Sequence, residues 1–549
     1  MMAAATAARQ SSPWARAIVA VGAAAASAAI WGATTPVATA KEEAGPPSPS
    51  PSPSPSPSPP PQLDLSTLRL VQVVFRHGAR TPLSSRTHLY DHVDWSGVCA
   101  AAGSPADHVQ LDLKHLGNGG DGSSATKTDA PGSSSASPAS DADAKQRATI
   151  LKGGCCHKGE LTILGKEQAR QLGAWLRERY GGGGEGGGFL PAAYRPGVVS
   201  ARTTNYSRTR ATLRGVLAGL WPELAKPGAP SVPATTSGDL DEILFADSRA
   251  CGHLQALLEA SVPLFDEKRE REKARVEKAQ KALDELLGLP EGYWSSGKGG
   301  GRWAITDVHD VATSLPAHGR PLVAAPGGGG AEGGEGKGVP PLKSLPRWLE
   351  DEVNRLATAE FSHFVAPSLR DAHGHTVLRL SMGRLLDQLL ARMDEAVEAA
   401  SAGKGAGASS SSSTPRPLIR LFSGHDSTVL PLLVAVGGRD VVRWPPYCSH
   451  VVLELHEAAP SEWFVRVLFN KEPLPVGGKG NGDEAAPHHN AVPLDAFRRE
   501  VVAPFLLSDE DHRLACTRPL THDSPLPQPL EEEKVDKKQQ QQKAGGGGK

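Results

Sequence analysis

The chain has no excess of either charge. Its 59 lysines and arginines face 60 aspartates and glutamates, a formal net charge of −1. That balance argues against a nucleic-acid binder and against any general pull toward anionic membranes. Cysteine is scarce: Cys99, Cys155, Cys156, Cys251, Cys448 and Cys516 are the full set. They are too scattered for a disulfide framework, and they allow one to three bridges in an oxidising compartment. Cys155-Cys156-His157 has no second C-x-x-C or H-x₃-H to complete a zinc set, so no metal site is expected. Long apolar runs are also lacking. Ala17–Gly32 is short of the about 20 residues that a bilayer span needs.

Glycine and proline are plentiful, and they mark the chain's boundaries. Residues 1–40 carry only Arg9 and Arg16 as charges and end in the small-residue stretch Ala38–Ala40. They read as a targeting segment: a secretory signal, an organelle transit peptide (a mitochondrial one included) or an uncleaved membrane anchor. A Pro/Ser-rich linker, 41–62, follows, suited to polyproline II. Gly117–Ala144, Gly181–Gly188, Gly327–Gly338 and Ser401–Thr414 read as disordered surface insertions, and 526–549 as a disordered polar tail.

Between these tracts the periodicity is clear. Leu68–Phe75 reads as a strand buried on both faces, and Thr162–Tyr180 as an amphipathic helix with Thr162 as its N-cap. Gly197–Ala201, Leu418–Phe422, Val451–Leu455 and Phe464–Phe469 read as strands. Helices are expected at about 208–220 and 427–436. The charged stretch Asp266–Leu287, with its stripe of Val276, Ala279, Leu283, Leu286 and Leu287, reads as an ordinary amphipathic helix. The pattern predicts an α/β fold: a mixed sheet flanked by helices, built from about 63–250 and 415–525, with a mostly helical insert at about 251–400.

Three charged clusters fall where a predicted strand gives way to a loop or helix. These are Arg76-His77-Gly78-Ala79-Arg80-Thr81-Pro82, then Arg202 in "SARTTNYSRTR", then His425-Asp426 in "LFSGHDST". Ligand sites in α/β sheets collect at the carboxyl ends of strands, so the three can converge. Guanidinium forks match the oxygens of a phosphate monoester, and Arg76, Arg80 and Arg202 supply three of them. His77, kept neutral by neighbouring cations, is a competent nucleophile toward phosphorus. Gly78 permits a close backbone approach, and Asp426 is the one acid in the clusters able to protonate a leaving oxygen. Nearby arginines oppose that protonation, so an acidic working pH is expected.

R-H-G-A-R-T-P followed far downstream by H-D resembles the histidine acid phosphatase family. The similarity runs over most of Leu65–Cys516 and includes "GELTILGKEQARQLGAWLRERY", "ARTTNYSRT", "CGHLQ", "LSMGRLLDQLL" and "FSGHDSTVLPLLVAVG". It implies a single phosphatase domain over 63–525 with no cofactor. It also implies His77 as nucleophile, Arg76, Arg80, Arg202 and His425 as phosphate ligands, and Asp426 as proton donor. Within the family, "VQVVFRHGARTPL" and "WPPY" are most similar to the lysophosphatidic acid branch, and H-D rather than H-A-E sets the chain apart from the inositol-polyphosphate branch. Sugar phosphates, phosphoproteins or phytate-like compounds are the alternative substrates, and a non-catalytic phospho-ligand binder is the rival of another class. Thr203 and Asn205 stand where the family usually has serine and aspartate. Arg208 and Arg210 read as a surface helix turn paired with acids. His253 and His309 read as structural or exposed, and Trp444 and Tyr447 as aromatic core anchors.

Overall fold

Strand β1, Leu68–Arg76, is buried almost throughout because both faces of its sheet are covered. Val71, Val73 and Phe75 enter one apolar core, and Leu70 and Val74 the other. The computed structural model describes residues 63–517, apart from 100–102, 117–125, 130–139, 182–187, 296–302, 324–341, 371–372, 406–415, 438–439, 441–442 and 479–490. The expected leader, Pro/Ser linker and tail lie outside the described residues, as does the Gly327–Gly338 tract.

The other strands are β2 (Leu111–Leu116), β3 (Thr126–Asp129), β4 (Val199–Thr203), β5 (Val232–Ser237), β6 (Ile419–Gly424), β7 (His450–Ala459), β8 (Glu462–Phe469), β9 (Glu472–Pro473) and β10 (Ala491–Pro493). They form one sheet in the order β10-β8-β7-β1-β6-β4-β5-β2-β3, with β9 paired to β8. β1, β6, β4, β5 and β2 run parallel. β7, β8, β10 and β3 join antiparallel, so the sheet is mixed, as expected. The order also places β1, β6 and β4 side by side and parallel in the middle of the sheet, which brings the three charged clusters together at their carboxyl ends.

Ten helices of seven or more residues occur among the described residues: α1 (Asp141–Arg147), α2 (Ile163–Tyr180), α3 (Ser207–Leu220), α4 (Gly252–Arg271), α5 (Lys273–Leu287), α6 (Ala304–Ala317), α7 (Arg347–Val365), α8 (Gly374–Gly405), α9 (Asp426–Gly437) and α10 (Asp509–Thr517). Thr162 caps α2 as expected, its Oγ1 accepting the Gly165 N–H at 3.2 Å. α2 and α3 cover one sheet face through Leu172, Leu176, Leu213, Val216 and Leu217. They lie backbone to backbone: a Cβ added at Gly219 would fall 2.0 Å from the Arg170 carbonyl oxygen. α7, α8 and α9 cover the opposite face.

The described residues between β5 and β6 contain no strand, in line with a helical insert. Part of that region forms a core of its own, in which α5, α6 and α7 pack around Tyr90, Trp95, Leu151 and the disulfide Cys99–Cys156. A second disulfide, Cys251–Cys516, ties the start of α4 to α10. No helix among the described residues is long and apolar enough to cross a membrane.

Several expectations fail here. The Gly117–Ala144 tract contains β3 and the start of α1, which Ser140 caps by accepting the Asp143 N–H at 3.1 Å. α8 continues to Gly405, inside the tract expected to begin at Ser401. The charged stretch breaks at Glu272 into α4 and α5, although Val276, Ala279 and Leu283 are buried as read. β2 and β5 are not among the predicted strands: β2 alternates only over Leu111–Lys114, a proline and a Thr-Thr-Ser run break β5, and sheet pairing rather than local pattern holds both in place.

Candidate active site

The catalytic-type loop leaves β1 at Arg76 and is fixed at once by backbone bonds. The His77 N–H donates to Gly424 O at 3.0 Å, and the His77 carbonyl accepts from Cys448 N at 3.1 Å. Gly78 does serve a close approach, but toward protein rather than ligand. A Cβ on Gly78 would lie 2.3 Å from the Gly165 carbonyl oxygen, and one on Gly165 would lie 2.1 Å from Ala79 O. The loop therefore rests directly on the first turn of α2, with Ala79 N–H donating to Gln168 Oε1 at 2.9 Å.

His77 is fully buried. Its Nδ1 lies 2.9 Å from the Gly78 carbonyl, an acceptor only, so Nδ1 carries the proton and Nε2 the lone pair. Nε2 has no hydrogen-bond partner. Burial first, then Arg208, Arg76, Arg80 and His425, hold the His77 imidazole well below the usual histidine pKa. The same burial and the same three arginines act on His425, whose ring stands edge-on 5.6 Å from that of His77. His425 Nε2 is 3.0 Å from Thr204 Oγ1, and the rings of Tyr206 and Phe245 flank it at 5.0 and 5.7 Å.

The arginines are as buried as a core leucine. Arg76 donates Nη1 to Pro445 O at 2.6 Å, pairs Nη2 with Asp426 at 2.9 Å, and lies 4.7 Å over the Tyr447 ring. Arg80 donates Nη1 to Thr81 O at 2.8 Å and faces Asp310 of α6 at 3.1 Å. Arg76 Nε, Arg80 Nε, Arg80 Nη2 and Arg208 Nε are buried without a hydrogen-bond partner. Four such donors around one unbonded imidazole nitrogen are a site for a multiply charged oxyanion, since leaving buried donors unmade is costly.

Asp426 is the first residue of α9 and fully buried. Its Oδ1 accepts Ser427 N–H at 3.0 Å, and its Oδ2 accepts the Trp444 indole N–H at 3.0 Å. Trp444 also stacks on Phe361 of α7 at 4.3 Å, so it is the core anchor expected and a partner of Asp426 besides. His309 is buried beside that ring at 4.8 Å, a structural position as read.

Two expectations about arginines are corrected. Arg202 is not presented to an anion: its Nη2 pairs with the buried Glu242 at 3.0 Å and donates to Ser237 Oγ at 2.9 Å. It is absent from the charges that act most on His77 and His425. Arg208, expected on a surface turn, is 3% exposed, and its charge heads the cations acting on both histidines. Arg210 is buried too. Burial and Arg80 push the Arg208 guanidinium down to about 10, so it stays charged near neutrality. The reason is position. Arg208 sits in the first turn of the helix that follows β4, where the chain turns back over the strand ends. That placement was the available clue, together with the R-x₅-R spacing. Asp310 gave no local signal at all. Asn205, where the family usually has aspartate, is buried and its carbonyl accepts Ser140 N–H at 2.9 Å. Cys156 is bonded to Cys99, so Cys155-Cys156-His157 is not a free ligand set.

A family profile described as "Histidine phosphatase superfamily (branch 2)" matches residues 67–287 and 369–470. The chain belongs to that family. Lysophosphatidic acid phosphatase type 6 of Homo sapiens is 26% identical over 459 residues, covering 83% of this chain and 87% of its own. A probable acid phosphatase of Schizosaccharomyces pombe is 28% identical, covering 79% of this chain and 91% of its own. Prostatic acid phosphatase of Bos taurus is 25% identical over 64% of this chain and 78% of its own. Among solved structures, the phytase of Klebsiella sp. ASR1 aligns with a TM-score of 0.47 at 15% identity, over 84% of this chain and 100% of its own. Family membership and the phosphatase relatives make this protein a phosphate monoester hydrolase.

Proposed function

We propose that the enzyme works through a phosphohistidine. His77 Nε2 attacks phosphorus in line, forming the N–P bond as the ester P–O bond breaks. Arg76, Arg80 and Arg208 take up the charge on the equatorial oxygens, with His425 as a further contact, and Asp426 gives its proton to the departing oxygen. Asp426 then takes a proton from water, which attacks phosphorus and returns His77 with release of inorganic phosphate. The carrying observation is the single unbonded nitrogen of a buried neutral imidazole set among four unpaired guanidinium nitrogens.

In the resting site Asp426 is ion-paired with Arg76. A bound phosphate dianion competes for Arg76, and acidic medium supplies the proton that Asp426 then passes on. His77 stays unprotonated through that range because burial and the arginines hold it so. Turnover is therefore expected to peak below pH 7, which a kcat profile checks.

The favoured substrate is lysophosphatidic acid, giving monoacylglycerol. Similarity to the type 6 phosphatases over 83% of the chain supports it. The two disulfides favour an oxidising compartment, and so the secretory reading of the leader. Acid-labile trapping of ³²P during turnover tests the mechanism: wild type should hold label and His77→Ala none. A panel of lysophosphatidic acid, sugar phosphates, phosphopeptide and phytate tests the substrate. A kcat/KM for lysophosphatidic acid no better than for the others would refute it.

A further inference from the structure

Arg80 is buried with Nε and Nη2 unbonded, so something outside its own loop must hold its guanidinium in place. That support comes from the helical insert. Asp310, in the middle of α6, is buried and divides its two oxygens. Oδ2 accepts the backbone N–H groups of Leu83 and Ser84 at 2.6 and 2.7 Å. Oδ1 faces Arg80 Nη1 at 3.1 Å. One turn further along α6, the Ser314 hydroxyl donates to the Arg80 carbonyl at 2.9 Å. One turn back, Asp307 pairs with Arg86 at 3.0 Å. Asp307, Asp310 and Ser314 share one helix face, and that face follows the chain from Arg80 to Arg86. Lys158, half-buried, is a further cation whose charge meets Asp310 and Asp307, and the charge of Arg76 meets Asp310 too.

We propose that Asp310 is a positioning residue for phosphate binding. The insert aims Arg80 at the anion through this carboxylate, and α6 thereby couples the helical part of the molecule to the site on the sheet. The inference rests on the reading of Arg80 as a phosphate ligand. Two features favour it over simple loop support: the carboxylate's second oxygen makes no hydrogen bond and lies 3.1 Å from the guanidinium as an ion pair, and the same helix grips the Arg80 backbone.

The test is a double-mutant cycle on the full chain, read as the inhibition constant of inorganic phosphate, kcat/KM for p-nitrophenyl phosphate, and Tm. Asp310→Asn keeps an oxygen for Leu83 and Ser84 and removes the charge facing Arg80. It should raise the phosphate inhibition constant roughly tenfold, and Asp310→Glu should recover part of that loss. In an Arg80→Ala background the same substitution should change it by less than about twofold. Ser314→Ala is a second variant, expected to weaken phosphate in the same direction if the Asn variant folds poorly. An equal loss from Asp310→Asn with and without Arg80 would overturn the positioning role alone. An Arg80→Ala enzyme that binds phosphate as wild type does would overturn the ligand reading of Arg80 and the inference with it.

Discussion

Arg202 and Arg208 lie six positions apart, on a strand and on the helix that follows it, and they meet different partners. Arg208 is held by Gln146 at 3.0 Å and faces Asp143 at 3.9 Å, but keeps Nε unbonded beside two neutral histidines, whereas Arg202 is bound to Glu242 and Ser237. Their alanine variants should separate accordingly. Arg208→Ala is expected to lower kcat/KM by about 10²–10³, with a smaller loss of Tm than Arg202→Ala because its buried acid, Asp143, lies at 3.9 Å rather than 3.0 Å. Arg202→Ala strips a buried carboxylate of its cation and should cost about 3–5 kcal/mol of stability, with phosphate inhibition little altered. Thermal melts and phosphate inhibition on both proteins check this. A larger loss of phosphate affinity from Arg202→Ala than from Arg208→Ala would restore the earlier assignment.

At the scale of elements, the site depends on how closely the β1 loop rests on α2. Gly165 is within the first turn of α2, and any Cβ there meets the Ala79 backbone. Gly165→Ala must push away the loop that carries His77 and Arg80. It should destabilise the fold by about 1–3 kcal/mol and lower kcat by more than tenfold. Gly238→Ala, with no atom within 4 Å of the added carbon and an ordinary φ, is the control and should be neutral. Much of this was legible beforehand. β1, α2, β4, α3, β6, α9, β7 and β8 were read within a few residues, because apolar periodicity and caps are local properties. β2, β3 and β5 were not. Their residues are chosen by neighbours in the sheet, and β3 exists only as the antiparallel partner of β2.

For the whole molecule, acid is the condition under which activity and stability oppose each other. His77, His318 and His425 are held below their usual pKa, and burial pushes His450 and His512 down to about 4. Unfolded, each takes up a proton near pH 6.5, so stability present above that value is lost as pH falls. The loss continues until the folded pKa is reached, at about 1 kcal/mol per pH unit for each fully titrating histidine. Glu454, pulled down to about 2, adds loss of the same sign below about pH 4.5. Asp239, pushed up to about 6 by burial, works the other way, adding stability as pH falls from about 6 to about 4. Melts across pH 4–7.5 should show Tm falling below about 6.5, with a shallower fall in His450→Gln. Reducing the Cys251–Cys516 bridge, which joins residues 265 apart in sequence, should lower Tm throughout.

The amino-acid sequence alone determined the alternation of strands and helices, the burial of β1 on both faces, and a histidine and two arginines at its end. Each of these follows from residues adjacent in the chain or one helical turn apart. Tertiary structure decided which arginine besides Arg76 and Arg80 faces the imidazole, which cysteines pair, and that an aspartate of the helical insert stands behind Arg80. A buried charge is settled by whatever opposite charge or donor the packing brings within about 3 Å. For Arg202, Arg80 and Asp426 those partners, Glu242, Asp310 and Trp444, come from other segments of the fold.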